Sequence, residues 1–147
     1  MKQIKAYGIV LFKRSFNKTS ILLCKSVDSK YKWGFLKGGT NPRDLTAKQT
    51  AQREFREESG ILLDQKNFEK YFYQNNKKKF IGLYLVDGSN MPFLNNYLDY
   101  EGKLYKNYLS HENSVVQFFD IDRLPKIKKN QAVVIEDILE YLRKKRF

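Results

Sequence analysis

The chain has one cysteine, Cys24, and one histidine, His111. A lone thiol excludes an internal disulfide framework and an all-cysteine zinc cage. A lone imidazole leaves at most one Ser–His–Asp or Cys–His arrangement. Any bound metal therefore rests mainly on oxygen ligands. No stretch approaches the roughly 20 apolar residues that span a bilayer. The opening Met1-Lys2-Gln3-Ile4-Lys5-Ala6-Tyr7 lacks the charged, long apolar and small-residue regions of an export signal. The expectation is a soluble cytoplasmic protein with no membrane partner.

Acidic residues are scarce: 16 Asp+Glu stand against 28 Lys+Arg, a net charge of +12 over 147 residues. Such a field suits a polyanion, a nucleotide, RNA or an inositol phosphate, without implying sequence-specific DNA contacts. Hydrophobic residues at 41% separate the chain from disordered compositions, and its length predicts one domain, residues 1–147.

Several segments declare their structure. Ala6–Phe12 is a short apolar run rich in β-branched and aromatic residues, and it reads as a buried strand. The polar break Phe16–Thr19 leads to a second strand, Ser20–Cys24, expected antiparallel to the first. Trp33–Leu36 reads as briefly extended, running into a Lys37-Gly38-Gly39 loop. Thr46–Ser59 contains no Gly or Pro, repeats Ala47, Ala51 and Phe55 on one face, and stops at Gly60. That is a helix. Phe68–Tyr73 and Phe80–Val86 flank a polar turn as a hairpin, Val115–Phe119 is a further strand, and Asn130–Arg146 predicts a terminal amphipathic helix. Residues 87–111 resist assignment. The whole predicts a mixed α/β (α+β) domain.

The informative cluster is Glu54, Glu57 and Glu58. On a helix these acids are three and four residues apart, so they crowd one sector at about 0.2–0.5 kcal/mol per like-charge pair. They also lie near the helix C-terminus, where the macrodipole disfavours anions. Arg53 alone cannot neutralise three carboxylates. A divalent cation can, and an oxygen-only set points to Mg²⁺ or Mn²⁺. Gly38-Gly39 just upstream would let backbone approach a metal or phosphate closely.

Gly39, thirteen residues, then Arg53-Glu54-Phe55-Arg56-Glu57-Glu58-Ser59-Gly60-Ile61 resembles the Nudix box, here residues 39–61. Two positions depart from the pattern: Leu45 replaces the first box glutamate, with Asp44 one residue earlier, and Leu36 replaces a frequent proline. The resemblance implies a Nudix fold, a mixed sheet sandwiched between helices, and metal-dependent hydrolysis of a diphosphate linked to a further group. It implies that Glu57 and Glu58 are metal ligands. Glu54 would be a ligand or orient the water, Gly39 would offer its carbonyl, and Arg53 would hold the carboxylates in register. Leu45 is expected to affect metal number or affinity more than hydrolysis.

Trp33-Gly34-Phe35-Leu36-Lys37-Gly38 is similar to the lead segment of the dinucleoside tetraphosphate hydrolase branch and of mRNA-decapping members. By that likeness Lys37 and Gly38 face phosphates. Ser110-His111-Glu112 is similar to a segment that, in the former branch, supplies an acid outside the box, which makes Glu112 a candidate base or metal ligand. Tyr73 and Tyr84 are candidates to stack a nucleobase, and Lys77, Lys78 and Lys79 at the hairpin turn to contact phosphate. The leading expectation is hydrolysis of a nucleoside polyphosphate, diadenosine tetraphosphate first. The alternatives are an RNA 5′-end hydrolase and a non-catalytic nucleotide- or RNA-binding module.

Overall fold

The computed structural model describes residues 3–145. The expectations at Met1, Lys2 and Arg146 lie outside them. Strand β1 (Ile4–Ser15) turns through Phe16 and Asn17, with φ of 52° and 65°, into β2 (Lys18–Ser26). Positive φ at both turn residues is the mark of a type I′ hairpin, and Ser15 pairs with Lys18 as that turn requires. β3 (Leu36–Gly39), α1 (Ala47–Ser59), β4 (Phe68–Asn75), β5 (Lys79–Asp87), β6 (Asn113–Asp120) and α2 (Ala132–Lys144) follow.

The strands form one sheet in the order β4-β5-β1-β2-β6, with β3 also on β1. β1 and β5 run parallel and every other pair is antiparallel. β1 is long enough to pair with β2 at its far half and with β3 at its near half. Gly34 exchanges two backbone hydrogen bonds with Cys24 before the chain crosses to β1. Residues 34–39 thus fill the split where β1 and β2 diverge.

Alternation along the strands divides the core. One cluster (Ile9, Leu11, Leu22, Leu36) packs under Ala51 and Phe55 of α1. The other (Val10, Phe12, Ile21, Leu23) packs under Val134, Ile138 and Leu142 of α2. The sheet is sandwiched between the two helices, as expected.

Two boundaries differ from the sequence reading. Lys37, Gly38 and Gly39 form strand β3 rather than a loop, because the near half of β1 offers an unpaired edge that captures them: Tyr7 pairs with Gly38 and Ala6 with Gly39. The terminal helix begins at Ala132, since Lys129–Gln131 forms a tighter turn and Gln131 is spent bonding Phe35 N through Oε1 (2.7 Å). Residues 87–111 hold two short 3₁₀ turns, Pro92–Asn96 and Lys106–Tyr108, and fold Leu94, Leu98 and Leu104 into the core. Their irregular backbone explains why no period announces them. Among the described residues no helix is long and apolar enough to cross a membrane.

Candidate active site

Both ends of α1 are fixed by local chemistry. Thr46 caps the N-terminus by accepting from Gln49 N, and Gly60 ends the helix at φ 77° with its N–H on Arg56 O. Gly60 also faces the Tyr108 ring, where a Cβ would come within 2.9 Å of Cδ1. Phe55 and Ala51 anchor the inner face. The last two turns therefore hold Glu54, Glu57 and Glu58 beside the glycines of β3.

The three acids go three ways. Glu54 lies against Gly38, where any Cβ would collide with its carboxylate. Glu57 points outward, 55% exposed, held by Arg53 at 3.0 Å. Glu58 turns inward and is 7% exposed, its Oε1 accepting from Asn113 Nδ2 at 3.1 Å. Its Oε2 is buried with no hydrogen-bond partner. Burial pushes the Glu58 carboxyl up to about 7; the Asn113 bond and Lys37 oppose the shift, while Glu54 and Glu112 add to it. Glu54 is also raised, by burial first and then by Glu57.

Arg53 organises the cluster. Its Nη1 donates to Glu54 (3.2 Å) and Glu57, its Nη2 to Gly39 O (2.7 Å) and Asp44 Oδ2 (2.9 Å), and its Nε to Asp44 Oδ1 (3.1 Å). Asp44 itself is 6% exposed and takes further bonds from Thr50 Oγ1 (2.9 Å) and Asn41 N (3.0 Å). Leu45, in the place of the first box glutamate, points away and is 84% exposed. The carboxylate at the start of the helix is thus supplied one residue early, by Asp44. Restoring glutamate at Leu45 is expected to leave the Mg²⁺ activation midpoint within about twofold, because that side chain extends into solvent; a clear tightening would return the role to position 45.

Glu112 sits on the exposed turn before β6, and its charge reaches Glu58. Lys37 is half-buried, with its ammonium pushed down to about 8 by burial and then by Lys79; Lys128 adds to the same effect. The charges of Lys79 and Lys128 both act on Lys37, and Lys37 in turn acts on Glu58. Gly38 and Gly39 are in the strand beside the acids. Tyr84 is not brought to the carboxylates: it lies between Phe68 (4.9 Å) and Tyr71 (4.8 Å) in a ring stack. Cys24 is buried and its thiol is pushed up to about 12 by burial, which removes it as a nucleophile at neutral pH. Asp44 and Asn113 bond to box residues, and sequence reasoning did not select either. Only Asp44 left a signal, an acid one place from the box position.

Among the described residues, no three His, Cys, Asp or Glu side chains stand close enough to hold a metal ion as they are. Like charges spread apart, and Arg53 engages two of them. The donors nonetheless fit a hard dication. All are oxygens, Glu58 carries a buried atom lacking any partner, and Gly39 O keeps a second lone pair beyond the Arg53 bond.

Comparison with known proteins agrees with this fold. Solved structures similar to this chain include a C. elegans Ap4A hydrolase binary complex (20% identity, 96% of this chain and 93% of that one, TM-score 0.61). The NUDIX domain of Shewanella oneidensis NrtR complexed with ADP ribose is similar at 15% identity, 97% and 90% coverage and TM-score 0.67. A MutT protein from Methanosarcina mazei Go1 is similar at 18% identity, 99% coverage of both chains and TM-score 0.61. No curated protein matches the sequence. The family model described as NUDIX domain matches residues 2–138, so this chain, with its box acids gathered on α1, belongs to the NUDIX family and is a Nudix hydrolase.

Proposed function

We propose that the protein hydrolyses a phosphoanhydride bond in a nucleoside polyphosphate, with diadenosine tetraphosphate the leading substrate. Glu54, Glu57 and Glu58 would hold Mg²⁺ or Mn²⁺, joined by the Gly39 carbonyl and by Glu112. The carrying observation is Glu58, a buried carboxylate with one oxygen unpartnered and its charge opposed by two neighbouring acids. Such a site calls for a cation. When bound, the ion draws charge from phosphoryl oxygens and lowers the pKa of a coordinated water.

The remaining work falls to the chain's own groups. Arg53 keeps Glu54 and Glu57 oriented between catalytic events. Lys37, whose ammonium is partly desolvated beside Lys79, gains a counter-charge when a polyphosphate arrives, as do Lys79 and Lys128. Where Glu112 does not complete the metal site, it accepts the proton of the attacking water. Gly38 leaves room for the Glu54 carboxylate.

Support for the substrate comes from the similarity to an Ap4A hydrolase and from the Trp33–Gly38 lead segment. An RNA 5′ end is the second reading, favoured by the net charge of +12. The test is a panel of dinucleoside polyphosphates, nucleoside triphosphates, sugar nucleotides and capped or triphosphorylated RNA, each with Mg²⁺ and Mn²⁺, with products identified by mass. Diadenosine tetraphosphate is expected to be turned over fastest, to two nucleotide products. Faster release from RNA ends would move the assignment to the second reading, and no product from any compound would refute both.

A further inference from the structure

The α1 side of β4 and β5 carries a run of aromatic rings that no helix covers. α1 packs chiefly over β1 and β3. Beyond it, Phe80 and Tyr73 lie 5.8 Å apart at 13°, Tyr73 and Tyr71 6.1 Å apart at 24°, and Tyr71 and Tyr84 4.8 Å apart. The Tyr71 hydroxyl reaches over Gly82, where a Cβ would displace it, so the missing side chain lets this ring lean across the sheet. Tyr73 is 59% exposed and Tyr71 39%. Exposed neighbouring rings are costly in water and add little to the core, which separates this row from Phe68 and Tyr84 packed behind it.

Lysines flank the Phe80 end of the row. Lys5, opposite Phe80 in the register, is exposed, and so are Lys77 and Lys78 at the hairpin tip. None of the three has an acidic partner among the described residues. β4 and β5 contain two acids, and both are turned away. Glu69 accepts from Tyr141 and Lys145 on the α2 side, and Asp87, at the far end, caps Ser89 N.

The row is also connected to the acids of α1. Gly38, Tyr7, Gly82 and Tyr73 are successive partners across four strands, a span of about 14 Å at the usual interstrand spacing. A cavity of about 710 Å³ opens where β1 begins and β3 ends, lined by Gln3, Ile4, Lys5, Gly39 and Thr40.

We propose that this face of β4 and β5 is a docking surface for single-stranded polynucleotide. Successive bases stack on Tyr73, Tyr71 and Phe80, and Lys5, Lys77 and Lys78 meet the phosphates. Rings accept any base through its π-face, and lysines follow the backbone charge, so the surface favours unpaired strands over duplex without reading sequence. The inference does not depend on the reaction proposed above, because binding needs neither metal nor a scissile anhydride.

The test is fluorescence anisotropy with 5′-fluorescein-labelled decauridylate and the intact protein in EDTA, titrated with salt. The wild-type protein is expected to bind this strand at least tenfold more tightly than a duplex of the same length. Tyr73→Leu should weaken binding about tenfold or more, and Tyr73→Phe should keep it within twofold, since the ring and not the hydroxyl makes the contact. Lys77→Ala/Lys78→Ala should lower the slope of log K against log salt by about 1.4. Equal affinity for strand and duplex, or Tyr73→Leu binding like the wild type, would overturn the proposal. In the second case charge alone would be responsible.

Discussion

Glu57→Gln is expected to lower turnover by at least about 10²-fold while the protein keeps its fold. Groups that merely orient a metal ligand cost about 10–100-fold when removed, and a direct ligand should cost no less. The exchange preserves shape but replaces a charged donor with a neutral amide, a poor partner for a hard dication. Stability should hardly move. Glu57 is 55% exposed and its hydrogen-bond partner is Arg53, one turn away, a pair worth about 0.3–0.5 kcal/mol. The measurement is steady-state turnover across a Mg²⁺ titration, with a thermal melt of the same sample. Turnover within tenfold of the wild type at saturating Mg²⁺ would remove Glu57 from the ligand set. Glu58→Gln should match the loss of turnover yet melt higher without metal, because the buried charge that the fold tolerates has gone.

Arg53→Ala has the largest expected effect on stability. It strips the guanidinium from Asp44, which is 6% exposed, and at once frees Gly39 O and two glutamates. Removing one partner of a fully buried ion pair costs about 3–5 kcal/mol, and this pair is part-buried, so the low end of that range is its upper limit. A quarter of the Arg53 side chain remains exposed, so a loss of up to about 3 kcal/mol is expected, a fall in Tm of no more than roughly 6–12 °C. Arg53→Lys should recover only part of this, since an ammonium cannot reproduce the two-point contact with Asp44.

The same pair gives the acid limb of stability a definite sign. The Arg53 hydrogen bond holds the Asp44 carboxyl down to about 2, below its value in the unfolded chain. A depressed folded-state pKa means that the stabilisation is complete above about pH 4 and is lost as pH falls towards 2. Melting from pH 5 to 2 should therefore show a steeper decline in the wild type than in Arg53→Ala. Parallel declines would show that the pair is not the source.

The box helix was legible in the sequence because its evidence is local. Thr46 and Gly60 mark its ends, Ala51 and Phe55 its buried face, and three glutamates at helical spacing need no tertiary contact to be seen. The strands of β1, β2, β5 and β6 were legible for the same reason: apolar β-branched runs with turn residues between them. Where the sequence reading went astray, the cause was long-range. Two glycines beside a lysine look like a loop until an unpaired edge of β1 captures them as β3.

Composition and spacing alone thus determined the fold class and the helix that carries Glu54, Glu57 and Glu58. Only the folded chain decided that Asp44 pairs with Arg53 while Leu45 faces solvent, and that Glu58 is buried against Asn113. It also decided that Tyr71 and Tyr73 form an uncovered row while Tyr84 packs behind them. A helix places its side chains by a fixed period along one segment. Burial, desolvation and the contact between Glu58 and Asn113 depend on how separate segments meet.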